Sequence, residues 1–161
     1  MSSGRRAFAF ASLALIGCSS PKILAIDQDL AAFDLENCAR QQPPCVTTGK
    51  VSATTEMLPD GMHEVELDAP ASIEAPLNEP TSPGRLAYVA LGTNGLLDKT
   101  MLELSIVGDD STKASIEIPQ GLKQIEVDMR EYAAQPGAHL RVACTAGGVQ
   151  LTYVVGRWFV P

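Results

Sequence analysis

The sequence predicts an all-β fold, an antiparallel β-sandwich, and two observations carry that prediction. From Val46 onward the apolar side chains recur at every second residue, as in His63-Glu64-Val65-Glu66-Leu67-Asp68, where Val65 and Leu67 alternate with acids. Period two marks a strand with one face on a core and the other in solvent. Short Gly- and Pro-containing breaks interrupt the pattern at close intervals, which suits short strands joined by turns.

The strand rows are Ala87-Val89-Leu91, Leu102-Leu104-Ile106, Ile116-Ile118, Ile125-Val127-Met129, Leu140-Val142-Cys144 and Val149-Leu151-Tyr153-Val155. Turn signals lie between them at Thr93-Asn94-Gly95, Gly108-Asp109-Asp110-Ser111, Pro119-Gln120-Gly121, Gln135-Pro136-Gly137 and Ala146-Gly147-Gly148. The Gly147-Gly148 pair tolerates positive φ at both turn positions, so 140–146 and 149–156 are expected to form a tight hairpin. The stretch holding Pro70, Pro76, Pro80 and Pro83 is expected to be loop or edge strand, because proline cannot donate to a ladder. No internal repeat is present, and 46–161 reads as one domain.

Ahead of this domain the character changes twice. Met1 to Cys18 reads MSSGRRAFAFASLALIGC, with Arg5 and Arg6 before an apolar run that ends in Leu15-Ile16-Gly17-Cys18. A basic start, an apolar stretch of roughly 7–15 residues and a small residue at its end describe a secretory signal peptide over 1–17. The run is too short to span a bilayer, which takes about 20 apolar residues. Leu-Ile-Gly-Cys resembles the lipobox of bacterial lipoproteins. The resemblance implies that Cys18 is lipidated, with palmitate among the chains, and becomes the first mature residue. Ser19 is not the aspartate that favours inner-membrane retention in that family, so the resemblance points to the outer membrane of a cell envelope. Arg5-Arg6-Ala7-Phe8 also partly resembles a twin-arginine export signal, which leaves two export routes open.

Residues 18–45 read as a tether from the anchor to the domain. Ile26, Leu30 and Phe33 are spaced by four and three, which predicts a short helix within 26–40, with Asp27 and Asp29 in its first turn. Cys38 and Cys45 flank a Pro43-Pro44 loop, and export favours a disulfide, expected between these two, with pairings through Cys144 as the competing arrangement. Cys144 shares the parity of Leu140 and Val142 and is expected in the core as a small hydrophobe.

Charge and motif exclude several functions. The 161 residues carry 19 acidic and 12 basic side chains, a net charge of −7, and removing Arg5 with Arg6 makes the mature chain more acidic still. Such a surface repels nucleic acid and anionic head groups, leaving lipid as the expected membrane contact. Asp27, Asp29, Asp34 and Glu36 lack the central Gly and distal Glu of a calcium loop. His63-Glu64 begins like a zincin motif, but Leu67 stands where the second histidine belongs. No Gly-x-Ser-x-Gly elbow or phosphate loop occurs, and no metal, cofactor or catalytic residue is predicted. The same-face carboxylates Glu64 with Glu66, and Glu126 with Asp128, fit a solvated sheet better than an acid/base pair. His139 fits a surface position at a strand start.

Ile125-Glu126-Val127-Asp128-Met129-Arg130-Glu131-Tyr132, followed by Pro136-Gly137-Ala138-His139-Leu140-Arg141-Val142, is similar to the galactose-binding-like jelly-roll domains. Met129 and Arg130 depart from that pattern, and no acid stands beside Trp158. The resemblance implies a jelly-roll sandwich, a fold that includes carbohydrate-binding modules and plain accessory domains. A sugar site needs an exposed aromatic face with polar groups beside it. The candidates are Trp158, Tyr88 and Arg157, while Tyr153 shares the parity of Leu151 and Val155 and is expected in the core. Arg157 and Arg141 could hold an anion or balance nearby carboxylates. Two functions follow: a non-catalytic lipoprotein that binds or scaffolds another envelope component, protein or glycan, and, as the alternative, a surface-displayed carbohydrate-binding module.

Overall fold

The computed structural model describes residues 24–29, 34–57, 63–77, 85–133 and 137–160, with the side chains of 24–29, 55–57, 63, 85–87, 110–112, 130–133 and 158–160 outside that description. The signal segment, Cys18 and Ser19 fall outside it, as do Leu30 and Phe33.

Among the described residues nine strands follow the predicted all-β pattern: β1 (Leu24–Asp29), β2 (Val46–Met57), β3 (His63–Pro76), β4 (Arg85–Gly95), β5 (Thr100–Ile106), β6 (Asp109–Ile118), β7 (Gly121–Ala133), β8 (His139–Ala146) and β9 (Gly148–Val160). All pair antiparallel, in the order β6-β5-β8-β3-β9-β4-β7, with β2 on the other edge of β3 and β1 beside β9. This continuous sheet folds on itself into two layers. Residues 71–76 of β3 pair with β8, and residues 65–68 pair with β9. The back layer is therefore β6, β5, β8 and the C-terminal half of β3. The front layer is the N-terminal half of β3 with β9, β4 and β7.

Three strands turn the corner between layers at one level. In β2 the register slips between Thr48 and Lys50, leaving Gly49 facing Pro70. A Cβ at Gly49 would lie 2.0 Å from the Pro70 carbonyl oxygen, and its φ is +73°, so only glycine fits. Pro70 sits between the two pairing segments of β3, where its missing N–H deprives neither ladder. The Ala69 N–H donates to the Gly147 carbonyl at 2.9 Å, which ties the third turning point to the second.

That corner corrects three sequence expectations. Residues 140–146 and 149–156 do not form a hairpin; β8 and β9 run end to end along one edge of β3. Both apolar rows, Leu140-Val142-Cys144 and Val149-Leu151, face the core only in that arrangement, and this outweighs the local turn propensity of Gly147-Gly148. The segment 70–76 is neither loop nor edge but the inner half of β3, with Ala71, Ile73 and Ala75 buried between β2 and β8. Pro80 and Pro83 lie outside the described residues. Thr93-Asn94-Gly95 is not a turn either, since β4 continues to Gly95 and Thr93 is fully buried.

The N-terminal segment differs as well. Residues 24–29 are strand, paired with residues 155–160 of β9, and among the described residues helix is confined to α1 (Leu35–Ala39). A short isolated helix is marginal in water, whereas an open edge of β9 offers a full ladder. Asp34 caps α1 by accepting from the Asn37 N–H at 3.1 Å, and Glu36 pairs with Arg40. Leu35 and Cys38 point inward, and the predicted Cys38–Cys45 disulfide is formed. Closing an eight-residue loop is worth about 2–3 kcal/mol on the chain-entropy account.

Inside the sandwich the two layers meet through Leu67, Ile73, Leu91, Leu102, Leu104, Leu140 and Leu151, all fully buried. Each contributes about 1.5–3 kcal/mol over an exposed position. Cys144 lies among them at 1% exposure as a free thiol, the core position its parity predicts.

Candidate functional site

The outward face of the front layer is set by the inward one. On β4, Val89, Leu91 and Thr93 point to the core, so Tyr88, Ala90, Gly92 and Asn94 face away. Register places a neighbour on each side. Tyr88 lies between Arg157 of β9 and Asp128 of β7, and Ala90 between Val155 and Glu126. Gly92 lies between Tyr153 and Gln124, and Asn94 between Gln150 and Leu122.

The predicted pair Tyr88 and Arg157 is thus brought together as a cross-strand couple. Arg157 Nη1 reaches diagonally across β4 to Glu126 Oε1 at 2.8 Å. Strands are spaced by about 4.8 Å, so this bridge spans two spacings across β4, beside Ala90, which pairs with Glu126. Ala90 is only 3% exposed although it faces outward. The pair itself is 34% and 42% exposed, which limits its worth to about 0–1 kcal/mol. Its effect is positional: it fixes a guanidinium and a carboxylate beside a tyrosine. Trp158, the third predicted residue, occupies the position opposite Leu86 and Ile26, and its side chain lies outside the described residues.

Sequence parity misplaced Tyr153. Gly92 pairs with Tyr153 and Thr93 with Leu151, so Thr152 is an extra residue in β9. Such a bulge turns two successive side chains to the same side and restores the inward series afterwards. Leu151 and Val154 are buried accordingly, and Tyr153 is expelled from the core onto the outer face. Gly92 makes room for both displaced side chains. A Cβ there would lie 1.9 Å from Thr152 Oγ1 and 2.6–2.7 Å from the Tyr153 ring carbons. Burial pushes the Tyr153 phenol above its ordinary range, with nearby Arg157 opposing and Glu126 adding to the shift. The two tyrosines, the guanidinium and the Glu126 carboxylate therefore form one cluster.

Further along the face a chain of amides continues the polar surface. Asn94 Nδ2 donates to Gln150 Oε1 at 3.0 Å, Gln150 Nε2 donates to Glu66 Oε2 at 3.4 Å, and the Gly121 N–H donates to Asn94 Oδ1 at 3.0 Å. Lys50 pairs with Asp68 at its margin.

The back layer carries a different set. His139 Nδ1 lies 3.0 Å from Glu74 Oε1, while Ser72 Oγ lies 2.7 Å from Thr48 Oγ1 and accepts from Arg141 Nε at 3.2 Å. Histidine and serine thus have separate partners, and this cluster has no nucleophile–base contact. Among the described residues no group of His, Cys, Asp and Glu is placed to hold a metal ion.

No family model matches the sequence, and no curated protein matches it. Solved structures do match. A carbohydrate-binding module of Cellvibrio mixtus lichenase 5A, solved with cellotriose, is 18% identical over 74% of this chain and 92% of that one, with a TM-score of 0.53. The C-terminal CBM6 module of LamC, a marine laminarinase from Zobellia galactanivorans, is 8% identical over 72% of this chain and 99% of that one, with a TM-score of 0.52. A two-domain esterase active on acetylated mannans is 14% identical with a TM-score of 0.51; the match covers 83% of this chain and only 36% of the esterase. At these identities the likeness establishes the fold, the jelly-roll sandwich that the 125–142 pattern implies.

Proposed function

We propose that this protein is a glycan-binding module held on a bacterial cell envelope by lipid at Cys18. The observation that carries the reading is the outward cluster of Tyr88, Tyr153, Arg157 and Glu126 on the front layer. Sugars present apolar C–H faces and hydroxyl edges. The cluster answers with two aromatic rings, a guanidinium and an acceptor carboxylate, arranged on strands rather than on loops. Two whole modules of the same fold are named as carbohydrate-binding, one of them solved with cellotriose, which favours a glycan over a protein as the envelope component bound.

Binding without catalysis is part of the proposal. Arg157 and Glu126 are tied to each other, so this cluster holds no free acid–base couple. A glycan array probed with the purified protein tests the reading. Neutral oligosaccharides are expected among the hits, and Tyr88→Ala is expected to weaken them. Hits that survive in Tyr88→Ala and vanish only in Trp158→Ala would move the site away from this cluster. An array with no hits, beside capture of an envelope protein by the same face, would restore the scaffold reading. For the anchor, Cys18→Ala is expected to abolish labelling by a palmitate analogue; unchanged membrane fractionation of that variant would remove the lipoprotein part.

A further inference from the structure

We infer that the front-face site extends past the tyrosine cluster onto an amide row, Asn94 with Gln150, and takes a linear oligosaccharide laid along β4 rather than a single sugar. The inference rests on the glycan reading above and adds the length and direction of the ligand. The outward positions of β4 fall at Tyr88, Ala90, Gly92 and Asn94, each about 6.8 Å from the next. The cluster occupies the first three. Arg157 and Glu126 bridge across β4 beside Ala90. The Tyr153 ring lies over Gly92, since a Cβ there would meet its ring carbons at 2.6–2.7 Å. Asn94 is therefore the next outward position after an aromatic ring. From Tyr88 to Asn94 the track runs about 20 Å along one strand, longer than a disaccharide.

Hydrogen bonds fix the amides. The Gly121 N–H donates to Asn94 Oδ1 at 3.0 Å, and a backbone N–H can only donate, so the orientation of the Asn94 amide is set. Its Nδ2 then faces Gln150 and donates to Oε1 at 3.0 Å. Gln150 Nε2 is set in turn and donates to Glu66 Oε2 at 3.4 Å. Each amide nitrogen carries two N–H groups, and among the described residues this chain uses one of each. The second N–H of Asn94 and that of Gln150 remain for ligand hydroxyls, on strands about 4.8 Å apart. Glu66, Gln150 and Asn94 are half-buried on the outward face, while Val65, Leu67, Thr93, Val149 and Leu151 beside them fill the core. Amides already held in one orientation lose little rotamer freedom on binding, which suits a pre-formed polar subsite.

Calorimetric titration of the purified protein with the dimers and tetramers of β-1,4-linked glucose, galactose and mannose tests the inference, beside thermal unfolding of each variant. At least one tetramer is expected to bind about tenfold tighter than its own dimer, the size of about two added hydrogen bonds. Asn94→Asp keeps an acceptor for the Gly121 N–H and loses both donors, so the tetramer is expected to fall within about twofold of the dimer. Gln150→Ala leaves the Asn94–Gly121 bond in place and is expected to cut the advantage about threefold, which keeps the inference testable should Asn94→Asp fold poorly. Tyr88→Ala is expected to weaken both lengths. Dimer and tetramer binding equally in the unaltered protein would overturn the extension and leave the tyrosine site standing. A tetramer advantage that survives both amide variants, with only the thermal midpoint lowered, would make the row structural and overturn the extension as well. No binding by any probe would also overturn it, and the array hits would then decide the tyrosine site on their own.

Discussion

The two outward faces of this sandwich each present an arginine close to a carboxylate, and they resolve that meeting in opposite ways. On the front layer Arg157 reaches Glu126 across Ala90, and the neutralised pair is flanked by Tyr88 and Tyr153. On the back layer Arg141 sits on Ser72, while Glu74 is bonded to His139. One face is aromatic and polar, with its guanidinium held by a carboxylate. The other holds its arginine on a buried serine. The lesson is that an arginine's meaning on a sheet depends on what its own Nε and its cross-strand acid are already doing, which composition does not reveal.

Several substitutions break or sharpen this contrast. The largest effect is expected from Gly92→Val, which drives a branched side chain into Thr152 and the Tyr153 ring. Overpacking of this kind costs about 1–3 kcal/mol and more for a branched residue, so the thermal midpoint should fall and front-face binding should go with it. Tyr153→Ala leaves the bulge intact and should cost neutral-glycan affinity on the order of 30-fold, the size of a binding hot spot, with little change in the thermal midpoint. Glu126→Gln removes the carboxylate that holds Arg157 and should weaken neutral-glycan binding several-fold, read by titration of the variant.

Smaller effects test the burial each face rests on. Burial raises the Cys144 thiol above its ordinary range, the hydrogen bond to the Ala146 carbonyl opposing it. The folded protein should therefore resist a thiol reagent at mildly alkaline pH and react in full after denaturation. The raised Tyr153 phenol has a definite sign. The folded state holds its proton more tightly than the unfolded chain, so the contribution is intact below about pH 10 and is lost as pH rises through the folded value. Ultraviolet titration should show a tyrosine component that ionises above the ordinary range, and Tyr153→Phe should remove it.

Much of the fold was legible in the sequence because period two survives averaging over a strand. Val65, Leu67, Leu102, Leu104, Leu140, Val142 and Cys144 all face inward as their parity demands. The Cys38–Cys45 bridge was legible from spacing and export together. What escaped were features created by pairing rather than by local pattern. The β8–β9 corner opposes a genuine turn signal at Gly147-Gly148, and only the shared partner β3 decides it. Residues 24–29 join the open edge of β9, a partner more than a hundred residues distant in sequence. Of the site, Tyr88 and Arg157 could be named in advance, and Tyr153 could not. A single extra residue at Thr152 reverses the parity on which its core placement rested, and the one available signal was Gly92, a glycine inside a strand.

The account's central claim is that the front face binds glycan through Tyr88, Tyr153, Arg157 and Glu126. A nitrogen–proton chemical-shift map on adding a neutral oligosaccharide hit tests it most directly. The predicted shifts cluster at Tyr88, Gly92, Glu126, Tyr153 and Arg157 and spare Ser105, Lys113 and Arg141. Shifts confined to β5, β6 and β8, with the β4–β9 cluster silent, would contradict it.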